Sequence, residues 1–326
     1  MIYYIFSILA LLCWSGSDLF SKMGTRERDK NSHWKVVFAV GLIMGIHFFI
    51  TLIGGAIIDG TVGVDGVHKV VASLFYTDFK LFDFVMYLPV AGLYILAMVL
   101  GYIGLRYIEL SISSPICNSS GALAFLLCVL FGIFSVEDIT VTTIVGIAMI
   151  TVGIVALGFI EQREDEEVKK ARRERANRKY AKSILAFLLP ISYLIIDALG
   201  TVGDEWLFSD AFIEKTGYEI SDYAANSAFE FTFFLLAVFA FVWVKLVKKD
   251  TIFKGNKHLY FGGLCETIGQ VFYMAVMFSD FSAGMVIISA YCAISVLWSR
   301  IFLKEKMSWK HYAVIALVIA GIVILG

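Results

Sequence analysis

Two glutamates stand where a charged side chain needs a reason. Glu230 falls about ten residues into one apolar stretch and Glu266 about eight into another. Each is expected near mid-bilayer, where an ionisable group costs about 2.5 to 3.5 kcal/mol even on the lenient insertion scale. Asn226 precedes Glu230 by one helical turn, and Gln270 and Tyr273 follow Glu266 at i+4 and i+7, so each apolar helix carries a polar stripe on one face. Such stripes could face a shared wet cavity and hold a cation or a coupling proton. The alternative is that each glutamate is protonated or bonded to a neighbouring helix and only fixes packing.

A second group of residues offers related chemistry. His47, near the middle of its apolar stretch, titrates near neutrality and could relay a proton or simply donate to a packing partner. Asp18 has Lys22 at i+4, which reads as an interfacial pair, whereas Asp197 has no nearby base. Asn118, Ser119 and Ser120 could line a cavity or join helices. Trp14, Tyr94, Tyr102, Tyr193, Tyr291 and Trp298 suffice for an aromatic cage, with core and interface roles as the alternative. Gly41 and Gly45 have the spacing of a close helix contact. Lys and Arg occur only at helix ends, so a cation, amine or zwitterion fits this inventory better than an anion.

The elements that carry these residues follow from hydropathy. Of 326 residues, 59% are hydrophobic and 17% charged, with a mean hydropathy of +0.81, which excludes a soluble domain. Apolar stretches of bilayer length recur at about 2–23, 35–58, 84–105, 111–134, 140–160, 183–203, 221–246, 258–279, 283–303 and 310–326. The first stretch has no basic leader or small-residue cleavage site and is read as a retained helix. The five cysteines lie inside apolar segments without metal-ligand or redox spacing. No basic patch with interleaved aromatics points to nucleic acid, and no motif implies a cofactor. The pieces at 59–83 and 204–220 read as loops or short interfacial helices. The polar segment 161–182 divides the chain nearly in half.

The halves resemble one another. An offset of 168 residues lays Gly101 on Gly269, Ser111 on Ser279, Ser114 on Ser282, Glu137 on Glu305, Gly153 on Gly321 and Gly158 on Gly326. An offset of 179 lays Trp14 on Tyr193 and Asp18 on Asp197. Five spans per half force the second copy upside down. The expected fold is therefore an all-α polytopic membrane protein of ten transmembrane helices as two inverted five-helix repeats, 1–160 and 183–326, joined by the linker 161–182.

Three segments carry a family resemblance: ILALLCWSGSDLFSKMG near the start, SVEDITVTTIVGIAMITVGIVALG closing the first half, and FLKEKMSWKHYAVIALVIAGIVILG closing the second. Together they resemble EamA-type members of the drug/metabolite transporter superfamily over nearly the whole chain. Glu137 and Glu305 keep the acid of that family's Leu-Gly-Glu loop, but Val136 and Lys304 replace its glycine. Ala124 and Cys292 stand near the places of its usual mid-helix prolines, so this is a divergent member. The resemblance implies a ten-helix carrier with a central cavity and leaves the substrate open.

Basic residues gather on one face, at Lys22 to Lys35, the linker, Lys245 to Lys257 and Arg300 to Lys310. Acids gather on the other, at Asp59 to Asp83, Glu137, Asp204 to Asp222 and Asp280. Positive-inside reasoning makes the linker cytoplasmic and both termini external, opposite to the usual drawing of EamA-type relatives. The expectation is a secondary transporter in the plasma (inner) membrane of a prokaryote, with lipid as partner and a cationic or zwitterionic small molecule as cargo. It would work by alternating access and be coupled to a proton or to exchange. The alternatives are an intramembrane enzyme, which no catalytic motif supports, and a membrane receptor or scaffold, which would not need inverted repeats.

Overall fold

A computed structural model describes residues 2–25, 29–66, 68–135, 139–163, 187–252, 256–277, 282–305 and 307–325. The helices are α1 (Ile2–Gly24), α2 (Ser32–Asp59), α3 (Lys69–Phe75), α4 (Leu81–Gly104), α5 (Leu110–Cys117), α6 (Ser120–Leu130) and α7 (Val141–Arg163). They continue as α8 (Leu188–Phe208), α9 (Asp210–Thr216), α10 (Asp222–Val242), α11 (Lys257–Met277), α12 (Ser282–Ser289), α13 (Tyr291–Phe302) and α14 (Trp309–Leu325). No strand occurs among the described residues. The linker from 164 to 182, Glu137, Ser279 and Gly326 lie outside them.

Among the described residues, six segments are long and apolar enough to span a bilayer: α1, α2, α4, α5 with α6, α10 with its π-helical extension Trp243–Val247, and α12 with α13. The apolar parts of α7 and α14 are shorter, at Val141–Leu157 and Trp309–Leu325. The other two expected spans are α8 and α11, 21 residues each, which carry Asp197, Asp204, Glu205 and Glu266 and are correspondingly more polar.

Three expectations about boundaries need correction. The fourth span is not one helix: Pro115 lacks the N–H that would bond the Ser111 carbonyl, and the helix turns out at Asn118 and Ser119 before restarting at Ser120. The ninth is broken likewise at Ala290, where no proline stands. The two breaks meet, because Asn118 Nδ2 donates to the Ser289 carbonyl at 2.6 Å and so satisfies an acceptor at the C-terminus of α12. The sixth span runs on to Phe208, so Asp204 and Glu205 belong to a helix rather than to a loop. The loop pieces contain the short helices α3 and α9.

Packing joins the first half of the chain to the second. The main pairings are α1 with α11, α4 with α8, α2 with α10, and α7 with α14. Small residues permit these approaches: a Cβ on Gly41 would meet the Phe233 carbonyl at 2.4 Å, and one on Gly45 the Phe234 ring at 2.2 Å. At the basic end, the fully buried Lys22 donates to the carbonyls of Leu105 (2.6 Å) and Ile108. Buried Glu305 accepts from the Leu110 and Ser111 amides, at 3.3 and 3.2 Å, and from the Ser111 hydroxyl at 3.2 Å. A carboxylate there meets the unpaired amides and positive dipole end of α5. Outside the bilayer, Lys35 bridges Asp29 (2.7 Å) and Asp250 (2.9 Å), and Asn31 also donates to Asp250.

Candidate functional site

A cavity of about 440 Å³ lies between the halves, walled by α1, α4, α5, α8, α10, α11 and the start of α13. Five carboxylates line it, Asp18, Asp197, Asp204, Asp222 and Glu266, and no Lys, Arg or His does so among the described residues.

Local structure sets the height of each acid. Asn226 of α10 accepts from Gln270 Nε2 of α11 at 3.1 Å, which places these two residues level. Asp222 is one turn outward from Asn226, and Glu266 one turn inward from Gln270, so the acids differ by roughly 12 Å along the bundle. On α8, Asp197 and Asp204 are seven residues apart, nearly two full turns, and share a face at about 10.5 Å separation. The acids therefore form two tiers. Asp18, Asp197 and Glu266 are inner; Asp204 and Asp222 are nearer the acidic face.

Serines and tyrosines orient the carboxylates. Asp18 Oδ2 accepts from Ser114 (2.5 Å) and Ser295 (2.7 Å), one from each broken helix. Ser120, just past the first break, donates to Asp197 Oδ2 at 2.6 Å, and Ser17 lines the cavity with Glu266. Tyr87 donates to Asp204 Oδ1 at 2.7 Å. The expected Asp18 to Lys22 pairing gives way to these bonds, since the Lys22 ammonium turns to backbone carbonyls instead. Aromatic rings complete the wall. Trp14 packs against Tyr273 (centroids 5.2 Å apart) and Tyr291 (5.7 Å), with Tyr94, Tyr102 and Tyr193 alongside.

Of the residues singled out from the sequence, Asp18, Asp197, Glu266, Asn226, Gln270, Tyr273, Tyr102, Asn118 and Tyr291 line this space. Glu230 and His47 do not, which corrects the expectation that Glu230 and Glu266 face one cavity. Glu230 is fully buried behind the wall, with His47 Nδ1 2.8 Å from Oε1. A hydrogen-bonded chain still connects it to the cavity. Asn226 Nδ2 donates to Glu230 Oε1 at 3.3 Å, and Asn226 Oδ1 receives Gln270 Nε2. Because a carboxylate only accepts, this order leaves the Gln270 Oε1 acceptor outside the chain. Trp298, a candidate for the aromatic cage, bonds to Ser15 and lies outside the lining.

The sequence reading places Asp204 in the loop 204–220 and Asp222 at the start of the stretch 221–246, and it singles out neither as a site residue. The signal for Asp204 was its seven-residue spacing from Asp197; that for Asp222 was Asn226 one turn later.

Residues 206–326 match the model of the EamA-like transporter family. The third of the three segments that carry the resemblance lies within this match, and there the resemblance is borne out. The EamA-like segment carries Asp222, Asn226, Glu266, Gln270, Tyr273 and Tyr291 of the lining. Asp18, Asp197 and Asp204 precede it. Among curated proteins none matches the chain. With its apolar helices, the chain is an integral, multi-pass membrane protein.

Proposed function

We propose that the protein is a secondary transporter carrying a small cationic or zwitterionic metabolite or drug by alternating access. The observation that carries this reading is the cavity between the halves, lined by five carboxylates and, among the described residues, by no basic side chain. A cation entering it replaces lost hydration with carboxylates and aromatic faces, while an anion meets repulsion. Glu266, deep in α11, serves as the group that cargo and coupling proton share.

The alternating mechanism rests on ten spans arranged as two inverted five-helix repeats, 1–160 and 183–326, with 161–182 as linker. Reciprocal contacts support this arrangement. A Cβ on Gly269 would strike Trp14, and one on Gly101 would strike Tyr193, the residues that the two sequence offsets exchange. Gly262 abuts Ser21 as Gly200 abuts Tyr94, again exchanged by the same offsets. Gly153 abuts Val314 and Val318, while Gly321 abuts Gly146 and Ile150. Contacts in which i meets j and the equivalent of i meets the equivalent of j are the mark of a two-fold relation. Two halves related in that way rock about the site between them. The charge distribution supports a cytoplasmic linker and external termini in a prokaryotic inner membrane.

Uptake of a labelled amine into proteoliposomes, with and without a pH gradient, tests the reading. Saturable uptake that responds to the gradient or to counter-substrate is expected. Preferential movement of an organic anion, or no uptake of any cation or zwitterion, would sink it.

A further inference from the structure

We propose that the cavity is shaped for an elongated organic polycation, a linear polyamine of about spermidine's length, with one ammonium among the inner carboxylates and another between Asp204 and Asp222. This deepens the cation-carrier reading and rests on it.

The tiered placement of charge is the first support. Asp197 and Asp204 share one face of α8 at about 10.5 Å, and Glu266 and Asp222 are offset by a similar distance across the Gln270 to Asn226 bond. A compact monocation can neutralise one tier and leaves the other without a partner. A zwitterion brings a carboxylate to a lining with no basic group among the described residues. An extended chain with an ammonium at each end meets both tiers at once.

The wall between the tiers supplies the second. Tyr87, which donates to Asp204, and Tyr94, Tyr102, Tyr193, Tyr273 and Tyr291 line the same cavity as both groups of carboxylates. Rings therefore run from one carboxylate group to the other. They offer apolar surface to methylenes and π faces to ammonium groups.

The third is a polar group without a hydrogen-bond partner among the described residues. Tyr102 lines the cavity and is only 7% exposed, yet its hydroxyl bonds to none of them. A buried hydroxyl left unsatisfied is unfavourable, and an ammonium seated beside Asp18 and Glu266 would donate to it.

Binding of spermidine and of n-butylamine to the purified full-length protein, each followed by calorimetry, reads the proposal out. Spermidine is expected to bind at least about tenfold more tightly, the range of one further charge-assisted contact. In Asp204→Asn and in Asp222→Asn the ratio of the two affinities should fall by about tenfold, because only the polyamine reaches the outer tier. Asp18→Asn should weaken both ligands. Equal affinities in the unaltered protein, or an unchanged ratio in both outer variants, would overturn the proposal while leaving the cation-carrier reading standing. If neither amine binds and no cation is taken up, that reading falls, and the proposal with it.

Discussion

His47 Nδ1 lies 2.8 and 2.9 Å from the two carboxylate oxygens of Glu230, which is fully buried between α2 and α10. Removing one member of a buried, hydrogen-bonded pair leaves the other stranded, whereas replacing both by apolar residues of similar size is often nearly neutral. Glu230→Leu should therefore lower stability by about 3–5 kcal/mol, and the double variant His47→Leu with Glu230→Leu should regain most of it. Thermal unfolding in detergent measures both. A double variant no more stable than the single one would show that the pair is not coupled.

Glu266→Gln keeps the side-chain volume and removes the charge. It should abolish gradient-driven uptake while leaving membrane insertion and unfolding temperature nearly unchanged. Normal transport with an unaltered pH dependence would remove Glu266 from the site.

Glu305 tests the junction between the halves. Its carboxylate accepts from two amides and a hydroxyl at the start of α5, and truncation leaves buried donors unmatched. A loss of about 1–3 kcal/mol is expected for Glu305→Ala, with Glu305→Gln intermediate because one acceptor oxygen remains. An effect of zero in both would refute the capping role.

The pH dependence is sharpest at Asp250, outside the bilayer. Hydrogen bonds from Asn31 and Lys35 pull its carboxyl down from 3.8 to about 2. A depressed carboxylate contributes stability that is complete above its unfolded value and disappears as pH falls through the folded one. The unfolding temperature should thus exceed that of Asp250→Asn above about pH 4, and the gap should close as pH falls toward about 2. A gap that persisted to the lowest pH would assign the difference to shape rather than charge.

Orientation is decided by labelling. A cysteine at Arg172 in the linker should resist an impermeant thiol reagent in intact cells, and one at the exposed Asp210 should react. The reverse pattern would invert the topology.

Most of the helices were legible because bilayer length and hydropathy leave few choices. Most of the lining was legible too, since Asp18, Asp197, Glu266 and Gln270 are polar groups inside apolar runs. What escaped was three-dimensional. Nothing local in the sequence says that Glu230 turns toward His47, because that depends on which neighbour α10 meets. Asp204 was hidden by its own polarity: together with Glu205 it lowers hydropathy enough to make a helix end resemble a loop. The helix breaks carry only Pro115 as a signal, and Ala290 carries none. Gly41 and Gly45 read correctly as packing residues because close approach leaves no room for a side chain.

Trp14 gives the cavity an optical handle. Of six tryptophans it alone lines the space among the described residues, and its ring sits against Tyr273 and Tyr291. A ligand entering the cavity must change the polarity and ring contacts of that indole. Trp34, Trp206, Trp243, Trp298 and Trp309 remain outside the lining. A single-tryptophan version keeping only Trp14 would therefore report occupancy through its own emission, with no dye or radiolabel attached to the cargo.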